Sequence, residues 1–156
     1  MKKLVILLIF SFLLCGCVPK QKNLVTYNYK EAYALFQYNN MLFIDVVLNG
    51  IPAKLLLDTG ASKSLLDVSK SKKYKFNYIL LVKEQYIGLG GLKDIYIVYD
   101  YNIDEFFTPF LGTDLSEITN YFSEKNIEIA GILGADFLDT HNVVIDFKKN
   151  LMYKKR

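Results

Sequence analysis

The stretch Leu55-Leu56-Leu57-Asp58-Thr59-Gly60-Ala61-Ser62 decides how the rest of this sequence is interpreted. Three consecutive apolar residues predict a buried strand, and the chain then turns with an acid at the end of that strand. Gly60 allows the backbone to bend close to the carboxylate, so that a main-chain N–H can donate to it. The short hydroxyl of Thr59 can bond to neighbouring backbone instead of reaching solvent. The stretch is therefore typical of a site that holds one acid rigidly at the base of a cleft.

A single carboxyl is not sufficient for the acid–base chemistry that such a cleft would perform. Two carboxyls within about 3 Å of each other share one proton, so that one activates water while the other protonates a carbonyl. The sequence contains one Asp-Thr-Gly segment, at Asp58. The second acid would therefore come from a second copy of the chain across a two-fold axis. Taken alone, the triplet also fits an ordinary turn after a strand.

The pattern around this stretch predicts an all-β domain. The 156 residues suit one domain, and 52% of them are hydrophobic, which is enough for a packed core. Met41 to Leu48 and Pro52 to Leu57 are predicted strands, and Asn49-Gly50 between them favours the positive φ angles of a tight hairpin. Further along the chain we predict strands at Tyr78–Ile87, Leu92–Tyr101 and Ile129–Leu133, short helices at 115–125 and Ala135–Thr140, and a closing strand pair at Val143–Tyr153. Many short strands and few helices predict a small closed barrel.

Four further segments resemble retropepsin-like aspartic proteases, and they occur in the order that this family has. Phe43–Ala53 corresponds to the strand pair before the catalytic loop, and Ile87–Gly91 corresponds to the glycine-rich flap tip. Gly131–Leu138 corresponds to the hydrophobic-hydrophobic-Gly segment with its helix, and Val144–Phe147 corresponds to the last strand. The resemblance covers roughly residues 41–153. It implies a single-lobe protease with a β-hairpin flap that is catalytic only as a homodimer.

The resemblance also implies roles for the residues of the decisive stretch. Asp58 would be the catalytic acid and base, one per protomer. Thr59 would lock the two loops together across the dimer axis. Gly60 would donate to the carboxylate and approach the substrate. The protein would then be an endopeptidase that acts on extended peptides.

The glycine-rich turn would be the tip of a flap that folds over a bound peptide and excludes water. Without the context of Asp58, the same glycines would fit an ordinary hairpin turn. The predicted contacts with substrate are Ala61, Ser62, Gly88, Leu89, Gly90, Gly91 and Ile132. Ile132, together with Leu133 and Gly134, would also pack beneath the active loop. Asp136 follows in the first turn of a predicted helix, where an acid favours the helix dipole, so we assign it a structural role.

Two positions depart from the pattern of the viral members of the family. Those enzymes usually carry an acid where Ser62 stands and an arginine where Ala135 stands, and the two side chains form an ion pair. Both are missing here, which removes one interaction that supports the dimer but does not affect Asp58. The alternative function is therefore a noncatalytic envelope lipoprotein that uses the same fold as a peptide-binding or scaffold module.

The N-terminus resembles a bacterial lipoprotein signal. Lys2 and Lys3 precede the almost unbroken apolar run Leu4 to Leu14, which is shorter than the roughly 20 residues that span a bilayer. The run ends in Leu14-Cys15-Gly16-Cys17, which resembles a lipobox with Cys17 as the lipidated residue. An ordinary secretory signal or an uncleaved membrane anchor are the alternatives.

We therefore expect a signal peptide at 1–16, a lipidated cysteine and tether at 17–32, and the protease domain at 33–156, held at the bacterial cell envelope and facing the periplasm or the exterior. Removing residues 1–16 takes away two lysines and no acid, so most of the net charge of +3 belongs to the targeting signal and no nucleic-acid partner is expected. With one histidine and no free cysteine after lipidation, we expect no metal site, and the chemistry needs no organic cofactor.

Overall fold

The computed structural model describes residues 29–88, 91–103 and 109–155, and this part of the chain is built mainly of strands. The strands are β1 (Tyr29–Tyr38), β2 (Met41–Leu48), β3 (Ile51–Leu57), β4 (Leu65–Asp67), β5 (Asn77–Gly88), β6 (Gly91–Tyr99), β7 (Leu111–Thr113), β8 (Ile129–Leu133), β9 (Val143–Asp146) and β10 (Leu151–Lys155). The helices are α1 (Ser71–Tyr74), α2 (Ser116–Ser123) and α3 (Ala135–Thr140), and a 3₁₀ turn spans Val68–Lys70. Within these ranges, no helix has the length and apolar character required to cross a membrane.

Two tight turns connect the first three strands. The Asn39-Asn40 turn joins β1 to β2 with φ angles of 47° and 62°, and the Asn49-Gly50 turn joins β2 to β3 with φ angles of 50° and 78°. Positive φ at both central residues gives the twist that suits a two-residue hairpin. The predicted hairpin at Asn49-Gly50 is thereby confirmed.

All the strands belong to one sheet with the order β5-β6-β7-β4-β8-β3-β2-β1-β10-β9. The predicted all-β fold is confirmed, whereas the predicted closure of the barrel is wrong, because β5 and β9 end the sheet without pairing with each other. The N-terminal strand β1 extends the sheet by pairing with β10, and β10 carries β9 beyond it. Hydrophobic alternation specifies strands but not whether the two ends of a sheet meet.

The strand β1 precedes Met41–Leu48, which is the first strand that the sequence predicts. β1 starts at Tyr29, inside the segment 17–32 that was predicted to be a tether. It pairs with β10 from Tyr29 opposite Lys155 to Ala34 opposite Leu151. Because the partner strand lies at the other end of the chain, the local composition of residues 29–32 does not indicate this pairing.

The strand that leads to Asp58 is buried on both faces. Leu55 and Leu56 are 0% and 9% exposed, and they belong to different core clusters. The first core cluster includes Ile44, Leu55, Leu133 and Phe137, and the second includes Phe43, Leu56, Phe122 and Ile132. Burial of each leucine stabilises the fold by about 1.5–3 kcal/mol. Such packing fixes the end of β3 and therefore the start of the loop that follows it.

Candidate active site

Asp58 follows directly after β3 and is half-buried. Its backbone N–H donates to the carbonyl of Leu133 at 3.1 Å, which ties the loop to the end of β8. The backbone N–H of Gly60 donates to Asp58 Oδ1 at 2.9 Å. A Cβ atom at position 60 would lie 3.2 Å from the same oxygen, a close contact that glycine avoids. The carboxylate is therefore held by the main chain in the way that the sequence predicted.

A second set of hydrogen bonds joins this loop to the start of α3. The N–H of Ala135 donates to the carbonyl of Ala61 at 2.7 Å. Ser64 Oγ accepts from the N–H of Gly134 at 3.0 Å and donates to Asp136 Oδ1 at 2.7 Å. The two segments are thus connected by a backbone bond and by the Ser64–Asp136 pair, although the ion pair of the viral enzymes is missing at Ser62 and Ala135.

The close approach of these segments depends on Gly134. A Cβ atom there would lie 2.5 Å from the backbone carbon and oxygen of Lys63 and 2.9 Å from the carbonyl oxygen of Ala61. Backbone atoms cannot move aside as a flexible side chain can, so a larger residue would push the loop away from α3. The glycine of the hydrophobic-hydrophobic-Gly segment is therefore required for the position of the loop.

The other predicted site residues lie in different surroundings. Thr59 and Ser62 are exposed in the single chain, and their contacts with a partner or a substrate stay predictions. Ile132 is 5% exposed and packs in the second core cluster, so its contact with a substrate stays a prediction. Gly88 pairs with Gly91 at the end of the β5–β6 hairpin, while Leu89 and Gly90 lie outside the described residues.

Sequence reasoning missed Asp67, a carboxylate with 0% exposure at the end of β4. Asp67 Oδ1 accepts from the N–H groups of Ser69 at 3.0 Å and Leu115 at 3.1 Å. Asp67 Oδ2 accepts from the hydroxyls of Ser69 at 2.8 Å and Thr119 at 2.7 Å. The position of Asp67 two residues before Ser69 predicts a local turn. The neighbouring sequence does not predict the hydrogen bond to Thr119. Asp67 therefore fixes α2 to the strand that follows the Asp58 loop.

The family of the chain follows from its central part. Residues 44–137, which run from β2 into α3 and include Asp58, match the model of a family described as aspartyl protease. This chain belongs to the aspartyl protease family. The resemblance of the sequence motifs to those of retropepsin-like proteases is thereby confirmed. No curated protein sequence matches this aspartyl protease chain.

The solved structures that are similar to this aspartyl protease chain include the following three. EIAV protease complexed with the inhibitor HBY-793 has a TM-score of 0.49 and 21% identity, over 71% of this chain and 99% of that one. A retropepsin-like aspartic protease from Rickettsia conorii has a TM-score of 0.47 and 18% identity, over 83% and 96% of the two chains. The retroviral protease-like domain of Ddi1 from Leishmania major has a TM-score of 0.39 and 19% identity, over 74% and 92%.

Proposed function

We propose that this chain is an aspartic endopeptidase that cleaves peptide bonds with a water molecule activated between the Asp58 carboxyls of two copies. The observation that supports it is the Asp58 carboxylate, half-buried at the end of a strand packed on both faces and bound by the Gly60 N–H at 2.9 Å. The way in which this acid is held, in a member of the aspartyl protease family, supports a role in acting on a substrate over the alternative that it simply ends a strand.

The chemistry requires two such loops to face each other. One carboxylate takes a proton from water as the water attacks the scissile carbonyl, and the protonated partner donates to the carbonyl oxygen. The first carboxyl then gives its proton to the amide nitrogen as the C–N bond breaks, and the partner carboxylate takes a proton from a hydroxyl of the tetrahedral intermediate, which restores the starting pair. Thr59, next to Asp58 and exposed in the single chain, would hold the two loops in register across the two-fold axis.

An extended peptide would lie between this loop and the β5–β6 hairpin, which we call the flap hairpin (Asn77–Tyr99). Tyr78 pairs with Val98 and Leu80 pairs with Tyr96 across the two strands, so these four side chains share one face. Tyr78 and Leu80 are 41% and 47% exposed, and the rings of Tyr78 and Tyr96 meet edge-on at 5.1 Å. Val98 is 6% exposed and packs in the first core cluster, so Tyr78 and Leu80 form the exposed apolar part of this face. This exposed part supports the proposal that substrates carry hydrophobic side chains.

We also propose that the mature protein is anchored by lipid at Cys17 and works at the bacterial cell envelope. The support is the apolar run Leu4 to Leu14 followed by the lipobox-like Leu14-Cys15-Gly16-Cys17. Lipid attachment would be detected as a mass increase at Cys17 and as loss of membrane association in Cys17→Ala.

The protease proposal is tested by cleavage of a library of apolar peptides by the full-length protein and by Asp58→Asn. We expect the substitution to reduce kcat/KM by at least about 10³-fold, because Asn cannot exchange the proton. Asp45→Asn is the matched control, since it makes the same change at an exposed carboxylate on β2 and should leave the rate unchanged. Equal activity of Asp58→Asn and the unmodified protein would rule out this mechanism.

A noncatalytic peptide-binding or scaffold module is the second candidate. It is favoured by the missing ion pair at Ser62 and Ala135, which weakens the support for a dimer. Sedimentation over a wide range of protein concentration separates the two functions, because a persistent monomer cannot assemble two Asp58 carboxyls. Peptide binding by such a monomer without cleavage would favour the module.

A further inference from the structure

Asn49, in the turn between β2 and β3, contacts both ends of the flap hairpin. Its side-chain Nδ2 lies 2.9 Å from the carbonyl of Tyr74 and 2.8 Å from that of Lys75, just before β5 begins. The same nitrogen lies 3.2 Å from the carbonyl of Asp100, just after β6 ends. The two hydrogens of one amide group are therefore shared among three carbonyls from both roots of the flap hairpin.

The other polar atoms of Asn49 bind the outgoing root as well. Asn49 Oδ1 accepts from the N–H of Asn102 at 2.7 Å, and the backbone N–H of Asn49 donates to the carbonyl of Asn102 at 2.9 Å. The residue has a φ angle of 50°, a conformation that asparagine tolerates better than most side chains. Glycine would accept the same backbone, so the turn itself does not require this side chain.

These contacts connect two hairpins with different tasks. The β2–β3 hairpin carries Asp58 at the end of β3 opposite to the Asn49 turn, about 20 Å along a strand of seven residues. The flap hairpin is held to the rest of the sheet by the short pairing of Tyr96 and Ile97 with β7. Asn49 therefore fastens the long, singly paired flap hairpin to the hairpin that positions the catalytic acid.

We propose that Asn49 is a positioning residue that fixes the base of the flap hairpin relative to the β2–β3 hairpin. The proposal deepens the proposed protease function, because the flap must close at a defined height above Asp58. The hydrogen bond from Asn77 Nδ2 to Asp100 Oδ2 at 2.9 Å joins the two roots to each other. Without the Asn49 side chain, the roots would stay joined to each other, but only the backbone bond between residues 49 and 102 and the bridge between Leu48 and Ile103 would connect them to the β2–β3 hairpin.

Asn49→Gly isolates the side chain, because glycine keeps the positive φ and loses the four side-chain hydrogen bonds. Asn39→Gly is the matched control: it makes the same change at positive φ (47°) in the β1–β2 turn, with the same entropic cost in the unfolded chain. Asn49→Asp is a second variant that keeps the acceptor for the Asn102 N–H but removes the donors. If the turn conformation alone mattered, Asn49→Gly would behave as Asn39→Gly does, and Asn49→Asp would behave as the unmodified protein does.

The first measurement is amide hydrogen exchange in the full-length protein, which needs no enzymatic activity. In Asn49→Gly and Asn49→Asp we expect exchange to quicken about tenfold, a loss of about 1.4 kcal/mol of local protection, at root amides that do not themselves bond to Asn49. Asn39→Gly shows how much exchange quickens from the unfolded-state cost alone, and amides of β3 and β8 should exchange no faster in the Asn49 variants than they do in Asn39→Gly. Unchanged exchange at the roots, or equal acceleration in β3 and β8, would overturn the proposal.

The second measurement is peptide cleavage, which tests the role in positioning. A loosened flap binds substrate and transition state less well by a similar amount, so KM should rise about three- to tenfold while kcat changes less than about twofold. A fall in kcat with an unchanged KM would contradict the role of Asn49. If the unmodified protein cleaves nothing, the protease function fails, but the exchange experiment still decides whether Asn49 fixes the flap.

Discussion

Asp58 and Asp67 belong to the same β3–β4 segment but have very different surroundings. Asp58 is half-buried, and its described hydrogen bond comes from the Gly60 N–H. Asp67 is fully buried, and its two oxygens accept four hydrogen bonds. A carboxylate with unused lone pairs can bind water and a second carboxyl, whereas one with four partners is committed to the fold. At the residue scale, this contrast separates the candidate catalyst from the structural acid.

Replacement of Asp67 by asparagine should destabilise the protein markedly. The amide oxygen can keep the two N–H donors, but the amide nitrogen would replace the oxygen that accepts from the hydroxyls of Ser69 and Thr119. The loss of this buried acceptor and of the charge-assisted bonds should lower the free energy of unfolding by about 3 kcal/mol. Urea denaturation at a fixed protein concentration measures the loss. Asp139→Asn, at an exposed position in α3, should cost less than about 0.5 kcal/mol. Equal costs for the two substitutions would show that the Asp67 hydrogen bonds do not stabilise the fold.

At the scale of elements, an ion cluster joins α1 and the preceding turn to the residue before β8. Glu128 Oε1 lies 2.9 Å from Lys73 Nζ and 3.7 Å from Lys70 Nζ. Burial opposes ionisation of Glu128, but the hydrogen bond and charge of Lys73, with the charge of Lys70, outweigh it and hold the pKa of Glu128 below its ordinary value of 4.5. The folded state therefore favours the ionised carboxylate.

The sign of this shift predicts how stability depends on pH. Because the pKa of Glu128 is lower in the folded state, its contribution is present in full above 4.5 and disappears as the pH falls through the folded-state value. The Glu128 side chain is 38% exposed, so solvent screening limits the contribution to below about 1 kcal/mol. Glu128→Gln should therefore lower the free energy of unfolding at neutral pH and have a smaller effect well below 4.5. A difference that is the same at both pH values would contradict this account.

Elements with local signals could be predicted from the sequence, and elements that depend on distant partners could not. The hairpin is predicted by its own turn residues, Asn49 and Gly50, and the helix Ala135–Thr140 is predicted by its own residues. Both appear in the structure as predicted. The start of β1 and the hydrogen bond of Asp67 to Thr119 depend on partners far along the chain. The sequence predicts that Asp136 lies in the first turn of a helix. Its hydrogen bond with Ser64 forms only when the loop after β3 packs against that helix, so the sequence does not predict it. The candidate site was thus predictable at Asp58 and Gly60 but not in the bonds that support them.

At the scale of the whole molecule, one chain supplies one half of the proposed catalytic site. The Asp-Thr-Gly segment occurs once in the sequence, and Thr59 and Gly60, which follow Asp58, are exposed in the single chain. The proposed mechanism requires a second carboxyl that only another copy provides. Activity should therefore depend on which copies pair, and not only on how much intact protein is present.

Mixing the unmodified protein with Asp58→Asn tests this dependence directly. A mixed dimer has one carboxyl and should be inactive, so an equal mixture, allowed to exchange subunits, should retain about half of the activity that the unmodified protein has alone. A larger excess of Asp58→Asn should reduce it further, because nearly every intact copy then pairs with a variant copy. Asp45→Asn, which keeps the catalytic acid, should add activity when it is mixed in the same way. If Asp58→Asn left the activity of the unmodified protein unchanged at every ratio, each chain would act alone, and the water could not be activated between two Asp58 carboxyls.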